Sequence, residues 1–196
     1  MLTWIRSRER ELAIGACLLA AMWLTRSHDF TIVALPDVTW AAFFLAGMIS
    51  RRWLLPIALT INAFAIDYVA LADGVSDYCV TPAYAFLVPT HLWLWTAGRW
   101  TRRWPFASSM HVMSFAAALV LGVIGAFFIS NASFYAFAGY FDDMSAGEYA
   151  ARVVRYFPGY LESTAIYAVI GLLASLVLRW ARQIREKRVS DHNEAR

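Results

Sequence analysis

The chain has 196 residues, of which 60% are hydrophobic, 16% aromatic and only 16% charged, with a mean hydropathy of +0.51. A water-soluble domain carries about 25% charge, so this composition excludes a disordered chain and opposes a soluble globule. Two cysteines exclude a disulfide-built scaffold. The net charge of +3 and the pI near 9.0 would suit a nucleic-acid binder, but the placement of the charges points elsewhere.

Six apolar runs predict membrane helices: Leu12–Leu24, Val38–Ile49, Trp53–Ala72, Val80–Ala97, Val112–Ile129 and Leu161–Leu178. A regular span needs about 17–25 residues, and the first two runs fall short of that. Backbone polar groups cannot stay unpaired in lipid, and period-two alternation is absent, so helices rather than a β-barrel are expected. The N-terminus has the layout of a signal peptide, a basic head before a short apolar run. No small-x-small cleavage site follows it, so a retained first helix is expected.

The basic residues orient these spans. Of the 17 Lys and Arg, all but Arg26, Arg152 and Arg155 fall at the termini, in the second-to-third connection or in the fourth-to-fifth connection. By the positive-inside rule both termini are cytoplasmic. The basic pI then reports topology, and no nucleic-acid partner is expected. The expected fold is an all-α membrane protein with six transmembrane helices and capping loops on the outer face. It forms one domain over residues 1–196, with a charged cytoplasmic tail over 180–196.

Polar residues beside the spans gather on the outer side. The first outer connection holds Arg26-Ser27-His28-Asp29, and the second runs from Asp73 to Cys79. The third is long, roughly Ser130 to Tyr160. Loops on a helical scaffold with this asymmetry predict a ligand site at the outer face. Pro36-Asp37 should start the second helix late, while Pro82 and Pro89 break the fourth. Such breaks are tolerated where protein or a water-filled hollow covers the freed backbone. In the third connection, Ser145-Ala146-Gly147-Glu148 matches a capping box. A short helix over Ala146–Phe157 should follow and stop at Pro158-Gly159. Arg152 and Arg155 share one face of it. With Phe134, Tyr135, Phe137, Tyr140 and Phe141 they would form an aromatic lid over a large flat ligand. Pairing of Arg152 with Glu148 on an interfacial helix is the plainer reading.

Cys79 is the most informative residue. It lies at the outer mouth just before a predicted helix, between Asp77-Tyr78 and Thr81-Pro82. The positive end of a helix dipole favours its thiolate and Asp77 opposes it. A thiolate is either a soft metal donor or a nucleophile. Cys17, among Ala and Leu of the first helix, reads as packing. Asp67, in the outer half of the third helix, needs a partner in lipid, and His28 is the candidate. His91 and His111 read as packing or interfacial residues. No CxxC or HExxH occurs, so an all-protein zinc site is not indicated.

Six short helices, both ends inside, fewer than 200 residues and an Asp-Tyr-Cys-Val-Thr-Pro stretch from Asp77 to Pro82 resemble the BtuM family. These are cobalamin-specific S-components of energy-coupling factor (ECF) vitamin transporters. The resemblance covers essentially the whole chain. It implies that Cys79 ligates the corrin cobalt, and that His28, Asp67, Tyr84 and Arg152 are polar pocket residues. Arg152 and Arg155 would donate to propionamide or phosphate oxygens. Thiolate attachment would also labilise an axial ligand such as cyanide, as chemistry incidental to uptake. S-components dock on their coupling subunit through an Ala-x-x-x-Ala surface, matched here by Ala16 and Ala20 with Ala13 one turn before. No Walker motif occurs, so this chain has no ATP site. The implied partners are cobalamin, membrane lipid and an ECF module of one transmembrane coupling subunit and two ATPases, unless the protein acts alone. The implied location is the bacterial inner membrane. Two other readings stand beside this one. In the first, a membrane cysteine transpeptidase or protease uses Cys79 as nucleophile, His28 as base and Arg152 at the oxyanion. In the second, the chain is an S-component for a different vitamin.

Overall fold

The computed structural model describes residues 2–26, 35–50, 52–101 and 109–194. Seven helices follow in order: α1 (Leu2–Arg26), α2 (Thr39–Ile49), α3 (Leu54–Ala72), α4 (Leu87–Thr101), α5 (Ser109–Phe137), α6 (Ala146–Val153) and α7 (Phe157–Glu194). Short 3₁₀ turns cover Asp77–Cys79, Pro82–Phe86 and Val154–Tyr156, and there is no strand among the described residues. Leu54–Ala72, Ser109–Phe137 and Ala146–Leu178 are long and apolar enough to cross a bilayer. The outward faces agree. On α5, Phe115, Leu119, Gly122 and Ala126 are buried, while the opposite face of Val120, Leu121, Ile124 and Phe128 is equally apolar and exposed. An apolar face of that extent is at rest in lipid, not in water, and the chain is a membrane protein.

The hub is α2. Its 11 residues rise only about 16 Å at 1.5 Å each, roughly half the hydrocarbon thickness. It is apolar all round, and every residue from Ala41 to Gly47 is buried. Its start is fixed by Asp37, whose Oδ1 accepts from the Thr39 N–H at 2.8 Å and from Thr39 Oγ1 at 2.6 Å. The late start expected from Pro36-Asp37 is therefore an Asx turn one residue ahead of Val38, the N-cap, which makes no side-chain cap of its own.

The tightest contact is between α2 and α4, where the two backbones touch. A Cβ on Gly47 would fall 2.0 Å from the Trp95 carbonyl oxygen, and one on Gly98 would fall 1.9 Å from that of Phe44. Glycine alone allows this reciprocal approach. It also sets His91, two turns before Gly98, flat against Phe43, with ring centroids 4.1 Å apart and planes 13° off parallel.

Successive long helices alternate in direction. The C-terminal ends of α1, α3 and α5 therefore meet the N-terminal ends of α2, α4 and α7 around one hollow. Three expected boundaries change there. The helix expected over Val80–Ala97 is split, with 3₁₀ turns up to Phe86 and α4 from Leu87. Pro82 opens the second turn and Pro89 sits in the first turn of α4, where a missing N–H leaves no bond unmade. The helix expected over Ala146–Phe157 ends at Val153, and Pro158-Gly159 does not stop the chain but lies in the first turn of α7. Cys17, read as packing, is exposed on α1, because the face opposite Leu18 and Met22 has no helix against it.

Candidate functional site: a cavity at one end of the bundle

The hollow has a volume of about 450 Å³, within the ordinary range for small-molecule sites. Its mouth is built by the segment after α3. The Ser76 hydroxyl accepts from the Tyr78 N–H at 3.3 Å, and the Thr81 hydroxyl accepts from the Ala83 N–H at 3.3 Å. These two side-chain caps bracket a tight turn that carries Cys79. The Val80 N–H closes that turn onto the Asp77 carbonyl at 2.7 Å. The thiol is exposed and lines the cavity. It lies eight residues before the first residue of α4, so the helix dipole expected to act on it is too distant, since that effect fades within one turn.

An aromatic wall stands beside the thiol. Tyr78 stacks on Tyr140 with centroids 4.6 Å apart and planes 7° off parallel. Phe134 of α5 meets Tyr78 edge-on at 5.8 Å. Tyr140 Oη donates to the Tyr78 carbonyl at 3.3 Å, which ties the third connection to the Cys79 turn. Behind this wall, Tyr135, Phe141 and Tyr149 pack together, with Tyr149 and Phe141 centroids 4.8 Å apart.

Deeper in, one cation organises three helices and a turn. Arg26 donates from Nε to Asp67 Oδ1 at 2.6 Å and from Nη2 to Asp67 Oδ2 at 2.7 Å. Its Nη1 reaches Asp37 Oδ2 at 3.1 Å and Thr39 Oγ1 at 3.3 Å. The Tyr84 hydroxyl donates to the same Asp67 Oδ2. The carboxylate of Asp67 is thus shared between α1 and the turn that follows Cys79. A planar guanidinium meeting a carboxylate at two points is the strongest common ion-pair geometry. Two oppositely charged groups can stay half out of water only when paired in this way.

At the floor lies His91, 1% exposed and lining the cavity. Its Nδ1 is enclosed and has no hydrogen-bond partner among the described residues.

Of the residues singled out by sequence, the cavity brings together Cys79, Asp67 and Tyr84. Tyr78 lines it as well as Tyr84. His28 lies outside the described residues, and Arg26 occupies the place at Asp67 that the sequence reading offered to His28. Arg152 and Arg155 are exposed and are not among the lining residues. Arg155 lies over the Tyr156 ring, 5.0 Å from its centroid. Glu148 completes the expected capping box, accepting from the Ser145 N–H at 2.9 Å. Ala13, Ala16 and Ala20 are exposed along one side of α1. No group of three or more potential metal-ligating side chains occurs among the described residues.

Among the lining residues that sequence reasoning did not assign to the site are Arg26 and His91. Arg26 carried a signal, since it is one of three basic residues on the side that otherwise lacks them. His91 carried one too, as an ionisable group inside an apolar run. No protein-family model matches the chain, and no curated protein matches it either.

Proposed function

We propose that this protein captures cobalamin at the outer face of the bacterial inner membrane as the substrate-binding subunit of a vitamin transporter. In this reading six helices span the bilayer with both termini in the cytoplasm, and Cys79 Sγ ligates the corrin cobalt. One observation carries it: the thiol is exposed at the rim of a cavity, on a turn braced at both ends, beside a wall of stacked tyrosines. A soft sulfur donor suits a transition metal, and aromatic faces suit the apolar rims of a macrocycle. About 450 Å³ holds one face and some arms of a corrinoid, so the remainder would rest outside the mouth, near the connection that carries Arg152 and Arg155. An axial ligand replaced by sulfur, cyanide included, would leave the cobalt.

The exposed Ala13, Ala16 and Ala20 give α1 a surface that another helix can approach closely. We assign it to a transmembrane coupling subunit, with ATP hydrolysis on separate chains. The alternative enzyme reading needs a base within hydrogen-bond reach of Cys79 Sγ, and its candidate, His28, lies outside the described residues.

The test is optical. Protein purified after growth with cobalamin should be coloured, and Cys79→Ser should shift its corrin bands. Superimposable wild-type and Cys79→Ser spectra would remove the sulfur–cobalt bond, and tighter binding of biotin, thiamin or riboflavin would replace the ligand.

A further inference from the structure

The cavity has a second polar level beneath Cys79, and the proposed function leaves it unused. His91 is 1% exposed, its ring lies flat on Phe43, and its Nδ1 is enclosed without a partner. A neutral imidazole carries one N–H and one bare nitrogen. An enclosed N–H with no acceptor is rarer and costlier than an enclosed lone pair. That preference puts the proton on Nε2 and leaves Nδ1 bare. Of the two ring nitrogens, Nδ1 is the one enclosed without a partner and Nε2 is not, so Nε2–H is the group left to meet the cavity that the ring lines.

We infer that His91 is a ligand-binding residue, whose Nε2–H donates at the cavity floor to an uncharged acceptor, the carbonyl oxygen of a carboxamide. The charge around it favours a neutral acceptor over an anion. The cation lining the cavity, Arg26, is already bound by two carboxylates that also line it, Asp37 and Asp67, so an entering anion would meet surplus negative charge. The inference rests on the cobalamin reading for its ligand, because corrinoids carry carboxamide arms around the ring. It names the arm end that enters deepest, while the cobalt stays at the level of Cys79.

The two levels are tested together by titrating cyanocobalamin into detergent-purified wild type and the His91→Phe, His91→Gln and His91→Asn variants. Glutamine holds its amide nitrogen near the place of Nε2, and asparagine holds it near that of Nδ1. All four proteins should show the Cys79-dependent absorption change at saturation. His91→Phe and His91→Asn should bind roughly tenfold more weakly, the scale of one lost buried hydrogen bond, and His91→Gln within about threefold of wild type. His91→Phe binding as tightly as wild type, or Asn rescuing better than Gln, overturns the floor contact and leaves the Cys79 reading standing. If wild type binds no corrinoid, the Cys79 reading falls, and ¹⁵N spectra of labelled histidine then decide the floor using acetamide as the probe. An Nε2-protonated His91 whose resonance moves on adding acetamide supports the inference. An Nδ1-protonated ring, or one that acetamide leaves unmoved, overturns it.

Discussion

Arg26 and Asp67 lie 41 residues apart and meet at two points, 2.6 Å and 2.7 Å, at the end of the bundle where the cavity opens. Each side chain is about one-fifth exposed, at 19% and 21%. The pair joins α1 to α3, and through Asp37 and Tyr84 it reaches α2 and the turn after Cys79. Asp67→Ala should lower stability by about 2 kcal/mol, below the ~3–5 kcal/mol for a fully buried pair because water still screens this one. Arg26→Leu with Asp67→Leu should lose less than the two single changes added together. Thermal unfolding in detergent, read for Asp67→Ala, for Arg26→Leu and Asp67→Leu singly and for the double variant, checks both statements.

The glycine contact between α2 and α4 makes a sharper prediction. Gly47→Leu or Gly98→Leu places side-chain carbon where a carbonyl oxygen already sits, so neither variant should accumulate as folded protein. Gly147 faces open space within α6. Gly147→Ala should therefore hold or raise stability, by up to about 1 kcal/mol. Yield after purification and unfolding midpoints separate the two cases.

The two cysteines should differ in reactivity. Cys79 lies at the cavity mouth and should be alkylated by a charged, membrane-impermeant maleimide added from the outer side. Cys17 is exposed on an apolar helix face, where hydrocarbon would keep a charged reagent away, and should resist the same maleimide until the membrane is dissolved. Mass spectrometry of the labelled sites in intact spheroplasts and in detergent gives the answer. Labelling of Cys79 from the cytoplasmic side alone would invert the proposed topology.

Ser145 tests the cap of α6. Its hydroxyl accepts from the Glu148 N–H at 3.3 Å. Ser145→Ala should cost about 1 kcal/mol locally. Amide hydrogen exchange should rise through Ala146–Val153 and stay unchanged in α3.

These residues also show how far the chain can be read in one dimension. The capping box needs two residues three apart, and both sequence and structure contain it. The apolar runs marked where each long helix lies because lipid demands uninterrupted apolar length. Their ends were harder to place, since a proline reads as a stop whether it ends one helix, as Pro158 was expected to do, or opens the next, as it does. Arg26 and Asp67 are the opposite case. Nothing within 41 residues of sequence says which cation meets which carboxylate, and His28 was as good a candidate until helix directions and depths were fixed. His91 looked like any packed residue, because burial and an empty hydrogen-bonding site leave the same mark in a string of letters. Tyr78 and Tyr84 could not be told apart until the turns on either side of Cys79 were in place, and both then proved to line the cavity.

The bare-backbone contact of Gly47 and Gly98 has a mechanical corollary. Where two glycines let the backbones touch there is no soft layer to shear, so α2 and α4 behave as a keel. Opening or emptying the hollow then falls to the parts that hang from that keel, the bracketed cysteine turn and the tyrosine-laden connection above it.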